Sequence, residues 1–338
     1  MSNPVHQICD IIRRERSFLI LTHYRPDGDA VGSQLALVLM LKKIGKRVAA
    51  WNDDAVPTKF HFLPGASLIR KPPAKPQKFD VVISIDSSNW QRVGTAAEKI
   101  ASRKHLINID HHVSNDRFGD INWIVPSSPA SGQIAFDLIR RGGFPLTRDI
   151  ATCLFAAIST DTGSFSYANT TAECLHVAAQ LVGTGLNVGK ISHHVYESYP
   201  YARLHLLRLV LADLKLADRK RIAYYWITKE MFEESRAKRE DTEGVIDYAR
   251  SIDGVVVAIL FEELNEPGKI RISLRSKNAK VDANAIARVF GGGGHREAAG
   301  ARIPGRPSEV ERRVLRAVRA EIRSEEHTSE LQSHSDLV

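Results

Sequence analysis

Three short apolar runs near the N-terminus each end abruptly in aspartate or histidine. Phe18 to Leu21 runs into T-H-Y-R-P-D-G-D. Asp80 to Asp86 reads D-V-V-I-S-I-D. His105 to Asp110 reads H-L-I-N-I-D and continues into His111-His112. Runs so rich in β-branched residues, without the alternation of a half-exposed strand, are expected of parallel strands buried on both faces. A helical pattern (Val31, Leu35, Val38, Leu39) follows the first run, and Val48 to Trp51 reads as a further strand. The pattern predicts an α/β fold with a mainly parallel sheet flanked by helices. Such a sheet gathers its strands' carboxyl ends at one edge, where open α/β sheets bind ligands.

A fourth segment, Ile150 to Ile158, is apolar-periodic and leads into S-T-D-T-G-S-F with Asp161. Singly, each aspartate is more often a turn or helix cap than a ligand, and Asp29 in that role would be the N-cap of the helix that follows. Jointly, His23, Asp27, Asp29, Asp86, Asp110, His111, His112 and Asp161 form a cluster of carboxylates that would repel itself without cations. The donors are oxygen and imidazole with no thiolate. Two divalent ions, Mn²⁺ or Mg²⁺, are therefore expected, and structural zinc is not.

The 338 residues suffice for two cores. Cys9, Cys153 and Cys174 show no C-x-x-C spacing, which suggests reduced thiols and a cytoplasmic location. No apolar run approaches a membrane span, so no membrane partner is expected. The net charge of +8 favours phosphate-bearing partners. Pro57 to Pro76 is rich in turn formers and reads as irregular surface. Residues 1–186 are taken as the first domain, 187–214 as a helical connector and 215–322 as a smaller α+β domain. In that second domain Arg221 to Thr228 reads as a strand and Thr242 to Ser251 as a helix. Val255 to Phe261 and Ile270 to Leu274 alternate like paired strands, and Asp282 caps a helix to Phe290. Four glycines then precede His295-Arg296, where backbone N–H groups can converge on an anion. The body closes on a helix from Ser308 to Ile322. Residues 323–338 are polar and match an in-frame reading of a sequencing-library adapter. That stretch is expected to be non-native; it is acidic, so the basic excess belongs to the body.

These residues resemble the DHH phosphoesterase superfamily, named for the Asp-His-His found here at 110–112. H-Y-R-P-D-G-D-A-V-G-S (23–33), Asp86, Asp110-His111-His112 and the Asp161 segment look like its four motifs in order. G-G-G-G-H-R-E-A-A-G (291–300) is similar to the glycine motif of its DHH-associated C-terminal domain. E-G-V-I-D-Y-A-R-S-I-D-G and I-S-L-R-S further resemble the bifunctional oligoribonuclease and 3′-phosphoadenosine 5′-phosphate (PAP) phosphatase branch, the nanoRNases. The resemblance implies that His23 and Asp27 hold one metal and Asp29, His111 and Asp161 the other, with Asp86 bridging. It implies that Asp110 orients His111 and that His112 faces the substrate phosphate. Arg275, Ser276, Gly293, Gly294 and His295 would bind substrate in the second domain, across a cleft from the metals.

The implied activity is two-metal hydrolysis of di- to pentaribonucleotides to mononucleotides and of PAP to AMP. The implied partners are short oligonucleotides and nucleotide bisphosphates, and a homodimer is compatible with them. A stand-alone cyclic di-AMP or pApA phosphodiesterase is the nearest rival. A non-catalytic nucleotide-binding module would be expected to lack an aspartate, and none is missing. A dinucleotide-dependent oxidoreductase would need G-x-G-x-x-G after the first strand, which is absent.

Overall fold

A computed structural model describes residues 4–277 and 281–335, with side chains as far as residue 324. The chain divides into two compact units, Met1–Ser198 and Tyr199–Val338. The division falls inside the 187–214 stretch.

The first unit is built on β1 (Ser17–Leu21), β2 (Arg47–Trp51), β3 (Ile69–Arg70), β5 (Val81–Ile85), β7 (His105–Asp110) and β8 (Ile121–Ile124). They form one parallel sheet in the order β3-β2-β1-β5-β7-β8. A separate two-stranded ribbon pairs β4 (Gln77–Lys78) with β6 (Ile100–Ser102). The helices are α1 (Pro4–Arg14), α2 (Gly28–Lys43), α3 (Ser131–Arg141), α4 (Arg148–Asp161), α5 (Ala172–Val182) and α6 (Val188–Tyr196). From β1 the chain winds outward through β2 and β3, then returns to add β5, β7 and β8 on the other side. The strand order therefore reverses between β1 and β5, and a crevice opens there at the carboxyl ends.

The continuous apolar runs have the predicted cause. Phe18, Ile20, Ile83, Ile85, Ile107 and Ile109 face the helical core, while Leu19, Leu21, Val82 and Leu106 face a second cluster with Trp51 and Val93 on the other side. The helix α2 is buried almost all round and packs on α4 with little clearance. A Cβ on Gly32 would lie 2.5 Å from the Cys153 carbonyl oxygen and 2.9 Å from the Ala157 Cβ. One on Gly132 in α3 would lie 2.6 Å from that same Ala157 Cβ. These glycines let three helices converge beneath the crevice.

At the opposite edge of the sheet, Asp80 ties three strands together. Its Oδ2 accepts from the Ser17 N–H at 2.9 Å and the Ser17 hydroxyl at 2.8 Å, and its Oδ1 pairs with Lys104 at 2.9 Å. The Lys104 and Ser17 bonds hold the Asp80 carboxyl well below the usual carboxylate range. A depressed native pKa contributes stability above pH ~4 that is lost as pH falls through the native value. Asp80→Asn should therefore cost on the order of 1 kcal/mol at pH 7. In denaturant melts the gap between the variant and the parent should start to narrow as pH falls below about 4 and go on narrowing toward the depressed native value, whereas a gap independent of pH would contradict this account.

Three expectations are corrected in this unit and its border. Residues 57–76 are not purely surface: Phe60 and Leu63 are buried beneath turns of 3₁₀ helix, and β3 joins the sheet. The helical connector read over 187–214 is not one helix, because α6 stops before Pro200 and α7 (Tyr201–Ala212) starts afresh after it; β9 (Lys215–Ala217) follows. The N-cap of α2 is Asp27, not Asp29.

The second unit holds α7 and a six-stranded sheet. Its strands are β9, β10 (Ile222–Ile227), β11 (Val257–Glu263), β12 (Lys269–Ser276), β13 (Gly293–Gly294) and β14 (Ala298–Pro304), in the order β13-β14-β12-β11-β10-β9. Only β10 and β11 are parallel to each other. Alternate residues of β10 enter different cores. Ile222, Tyr224 and Trp226 meet α10 (Ala283–Arg288) and α11 (Pro307–Ser335); Ala223, Tyr225 and Ile227 meet α7 and α9 (Val245–Ser251). A short α8 (Lys229–Ser235) follows β10.

Here too the boundaries shift. The helix read from Thr242 begins only at Val245, because Gly244 takes a left-handed φ of 75° behind a 3₁₀ turn. The closing helix passes Ile322 and continues to Ser335, and residues 336–338 of the expected tail lie outside the described residues. The glycine run is less open than an anion nest. The N–H groups of Gly291 and Gly292 donate to the Arg288 and Ala287 carbonyls, and Gly293–Gly294 pair with β14. A Cβ on Gly292 would lie 2.2 Å from the Gly300 carbonyl oxygen, so close backbone approach explains the glycine there.

Candidate metal centre

Five elements bring acidic and imidazole groups to the crevice. His23 follows β1, Asp27 and Asp29 flank the start of α2, and Asp86 follows β5. Asp110 ends β7 with His111 and His112 behind it, and Asp161 ends α4. That last position explains why the fourth segment lacked a strand's residue pattern.

Asp86 lies at the centre. It is buried and takes a left-handed φ of 60°, while its N–H donates to the Ile109 carbonyl in register with β7. Its Oδ2 is 3.5 Å from His23 Nε2 and its Oδ1 is 3.6 Å from His111 Nε2. The two carboxylate oxygens thus face two groups of donors. His23, Asp27 and Asp86 form one, with His23 Nε2 3.9 Å from Asp27 Oδ2. Asp29, His111 and Asp161 form the other, with His111 Nε2 3.9 Å from Asp29 Oδ2 and 3.5 Å from Asp161 Oδ2.

The two histidines share one orientation. His23 Nδ1 lies 2.8 Å from the Tyr24 carbonyl oxygen and His111 Nδ1 lies 3.2 Å from that of Ser128. A carbonyl can only accept, so Nδ1 carries a proton in each, and Nε2 is the ring atom turned toward the carboxylates. That is the arrangement of metal-ligating imidazoles.

Burial raises the Asp29 carboxyl well above the usual range, and the charges of Asp86 and Asp161 add to this. Asp161 is pushed up to about 7, chiefly by burial, with Asp27 and Asp86 adding repulsion against the pull of His111. Burial opposes ionisation of Asp86 as well, yet His23, His112 and His111 around it hold it below the carboxylate range. Crowded carboxylates, with Asp29 and Asp161 raised, beside imidazole Nε2 atoms suit a divalent cation, and the oxygen and nitrogen donors suit a hard or borderline one.

Asp110 departs from its expected role. His111 is set by the Ser128 carbonyl, whereas Asp110 Oδ1 lies 2.7 Å from His112 Nδ1. Burial disfavours a charged His112, but this bond and the Asp110 and Asp86 charges raise it to about 9.

Two contributors escaped the sequence reading. The first is the start of α3, whose N-cap Ala130 offers no side-chain bond. Its free Ser131 and Gly132 N–H groups bind Asp29 at 2.6 and 2.8 Å, and Ser131 Oγ donates to Asp86 Oδ1 at 3.0 Å. An apolar-periodic helix beginning at A-S-G with no capping side chain is the signal that was available. The second is Asn115, whose Nδ2 donates to Asp110 Oδ2 at 2.6 Å and to the Ser87 carbonyl at 3.1 Å. Its Oδ1 accepts from Asn108 at 2.9 Å. Asn115→Ala should lower turnover by ~10–100-fold through loss of the Asp110–His112 alignment. Steady-state kinetics beside a thermal melt would check this; full activity at unchanged Tm would exclude the role.

Arg275 and Ser276 lie at the end of β12, and Gly293, Gly294 and His295 in the turn that β13 makes with β14. The Ser276 N–H donates to the Glu297 carbonyl, and the His295 N–H to that of Ala298, so the two segments are stitched together within the second unit.

Comparison with known proteins follows the same two-unit division. A model described as DHH family, N-terminal domain, matches residues 17–158, and one described as DHHA1 domain matches residues 220–324. A Thermus thermophilus protein described as bifunctional oligoribonuclease and PAP phosphatase NrnA is 35% identical over 314 residues, 91% of each chain. A Bacillus subtilis protein of the same description is 27% identical over 293 residues, covering 85% of this chain and 89% of its own. Among solved structures, an exopolyphosphatase-related protein from Bacteroides fragilis superposes with a TM-score of 0.85 at 27% identity, covering 94% of this chain and 96% of its own.

Proposed function

The chain belongs to the DHH family, and from that membership and the geometry of the crevice we propose that it is a metal-dependent phosphoesterase. Its substrates are short oligoribonucleotides, di- to pentanucleotides cut to mononucleotides, and PAP, hydrolysed to AMP. The observation that supports this most is the pair of donor groups on either side of Asp86.

In this reading His23 and Asp27 hold one divalent ion, Asp29, His111 and Asp161 a second, and Asp86 both. Mn²⁺ is the preferred ion, with Mg²⁺ as substitute. Bound ions of this kind supply Lewis acidity toward the phosphoryl group and acidify water. The remaining chemistry falls to the protein. Ser131 and the α3 N-terminus fix Asp86 and Asp29 before substrate arrives. His112, charged and held by Asp110, offers its far ring nitrogen to an anionic phosphate oxygen. Arg275, Ser276, Gly293, Gly294 and His295 are assigned to the distal phosphate and base of the substrate. No helix of the described residues is long and apolar enough to cross a membrane. The three free cysteines are buried, in keeping with a cytoplasmic setting where RNA fragments are made.

The test is Mn²⁺-dependent hydrolysis of a 5′-phosphorylated diribonucleotide, PAP and cyclic di-AMP in parallel, with and without EDTA. EDTA-sensitive turnover of the first two is expected. Turnover of cyclic di-AMP alone would replace this reading with a signalling phosphodiesterase. Binding without turnover would make the chain a nucleotide-binding module.

A further inference from the structure

The helix α11 carries a face that the hydrolytic site does not use. Val310, Val314, Leu315, Val318 and Ile322 seat it on the sheet of the second unit. Beside that buried stripe, Arg312, Arg316 and Arg319 recur at i, i+4 and i+7 and line one groove with Leu315 and Ala320. Arg323 extends the row but stands at the start of the stretch expected to be non-native, so nothing below depends on it.

A helix rich in both signs normally pairs its charges along its own surface. Here the carboxylates are engaged elsewhere. Glu311 accepts from Trp226 Nε1 at 2.7 Å and from the Tyr224 hydroxyl at 3.2 Å. Glu321 accepts from the Asp282 N–H at 3.4 Å, and Glu309 reaches Arg313, on another face, at 3.7 Å. Among the described residues no carboxylate pairs with Arg312, Arg316 or Arg319; Arg312 only donates to the Ser308 carbonyl of its own helix. Glu311 and Glu321 are engaged by neighbouring elements of the unit and Glu309 by Arg313, while Arg312 and Arg316 are exposed with Arg319 half-buried beside them, leaving a strip of one sign.

We propose that Arg312, Arg316 and Arg319 form a docking strip for the sugar–phosphate backbone of single-stranded RNA, separate from the residues of the metal centre. The strip spans about 10 Å of helix, enough for two or three successive phosphates. Guanidinium groups bind phosphate oxygens bidentately and without regard to base. An anionic membrane would also attract the strip, but an interfacial helix needs large apolar side chains beside its cations. Here the neighbours are a buried Leu315 and a small Ala320. The choice of RNA among polyanions rests on the proposed function. The strip would hold strands longer than the hydrolytic site accepts, raising the local concentration of their ends.

The test compares the full-length chain with its R312Q/R316Q/R319Q variant. The probe is a fluorescein-labelled 20-nucleotide uridylate with phosphorothioate linkages, which resist hydrolysis. Anisotropy is recorded from 50 to 300 mM salt. Each lost phosphate contact on a single strand should flatten the log Kd against log salt slope by about 0.7, so loss of two or three should make the variant shallower by about 1.4 to 2 and weaken its binding at least tenfold at low salt. Hydrolysis of a 5′-phosphorylated diribonucleotide by the variant should match the parent, since none of the three residues belongs to the metal centre. Circular dichroism confirms that α11 is intact, and the three single substitutions serve if the triple variant does not fold. An unchanged slope and affinity would overturn the strip. So would loss of binding to phosphatidylserine vesicles with RNA binding retained. A parent that binds the uridylate through the strip yet hydrolyses nothing would sink the proposed function and leave the strip standing.

Discussion

Asp86→Asn should abolish hydrolysis of a 5′-phosphorylated diribonucleotide, by ~10³-fold or more, while the protein stays folded. The size of the effect follows from position: each carboxylate oxygen of Asp86 faces a different donor group. An amide keeps one oxygen and turns an NH₂ toward the other group, where it cannot ligate. Asparagine is the informative replacement for two reasons. It tolerates the left-handed φ of 60° at this position, where alanine would add about 1 kcal/mol of strain. Its amide oxygen can also keep the bond from Ser131 Oγ. Near-UV circular dichroism and Tm should match the parent, so loss of rate can be assigned to chemistry. Turnover within tenfold of the parent would remove Asp86 from the centre of the mechanism.

A second large effect concerns how stability responds to pH with and without metal. In EDTA, Asp161 has a native pKa of about 7 and an unfolded one near 4. Between those values the folded state binds more protons than the unfolded state, so stability falls as pH rises. His112, raised to about 9, acts in the same direction above pH ~6.5, since its stabilisation is lost on deprotonation. The metal-free protein should therefore be more stable at pH 5 than at pH 8. The difference is on the order of 2 kcal/mol once the partial exposure of Asp161 is allowed for. Saturating Mn²⁺ should reverse the slope, because protons compete with the ion for the same carboxylates, and should add ~2.7 kcal/mol at a hundredfold excess over Kd near neutrality. Urea titrations at several pH values, run with EDTA or Mn²⁺, decide the matter. Parallel slopes under both conditions would mean that these carboxylates do not bind the ion.

The sheet was legible because its strands are buried on both faces, so Val81–Ile85 and His105–Asp110 read as continuous apolar runs leading into aspartate. Tertiary contacts were less accessible. Phe60 lies in a stretch dominated by turn formers, and only its burial in the first unit's main apolar cluster reveals it as core. Asp110 could be assigned to either adjacent histidine, and nothing short of the backbone path after β7 gives it to His112. Ser131 and Gly132 act mainly through backbone N–H groups, which every non-proline residue has. Gly291 and Gly292 show the converse error: glycine signals close backbone approach, and that approach is to the protein's own carbonyls.

The residues of the two donor groups run from His23 to Asp161, at the ends of three strands and on two helices of a unit whose parallel sheet is assembled from both sides of β1. Such a fold is dominated by contacts distant along the chain, and its nucleus must close long loops before it gains from them. A fragment emerging early in synthesis carries only His23, Asp27 and Asp29, so neither donor group is whole until Asp86 follows and the second waits for Asp161. An ion bound by these residues would act on the finished unit as a latch, slowing the escape from the native state and leaving the rate of reaching it largely unchanged.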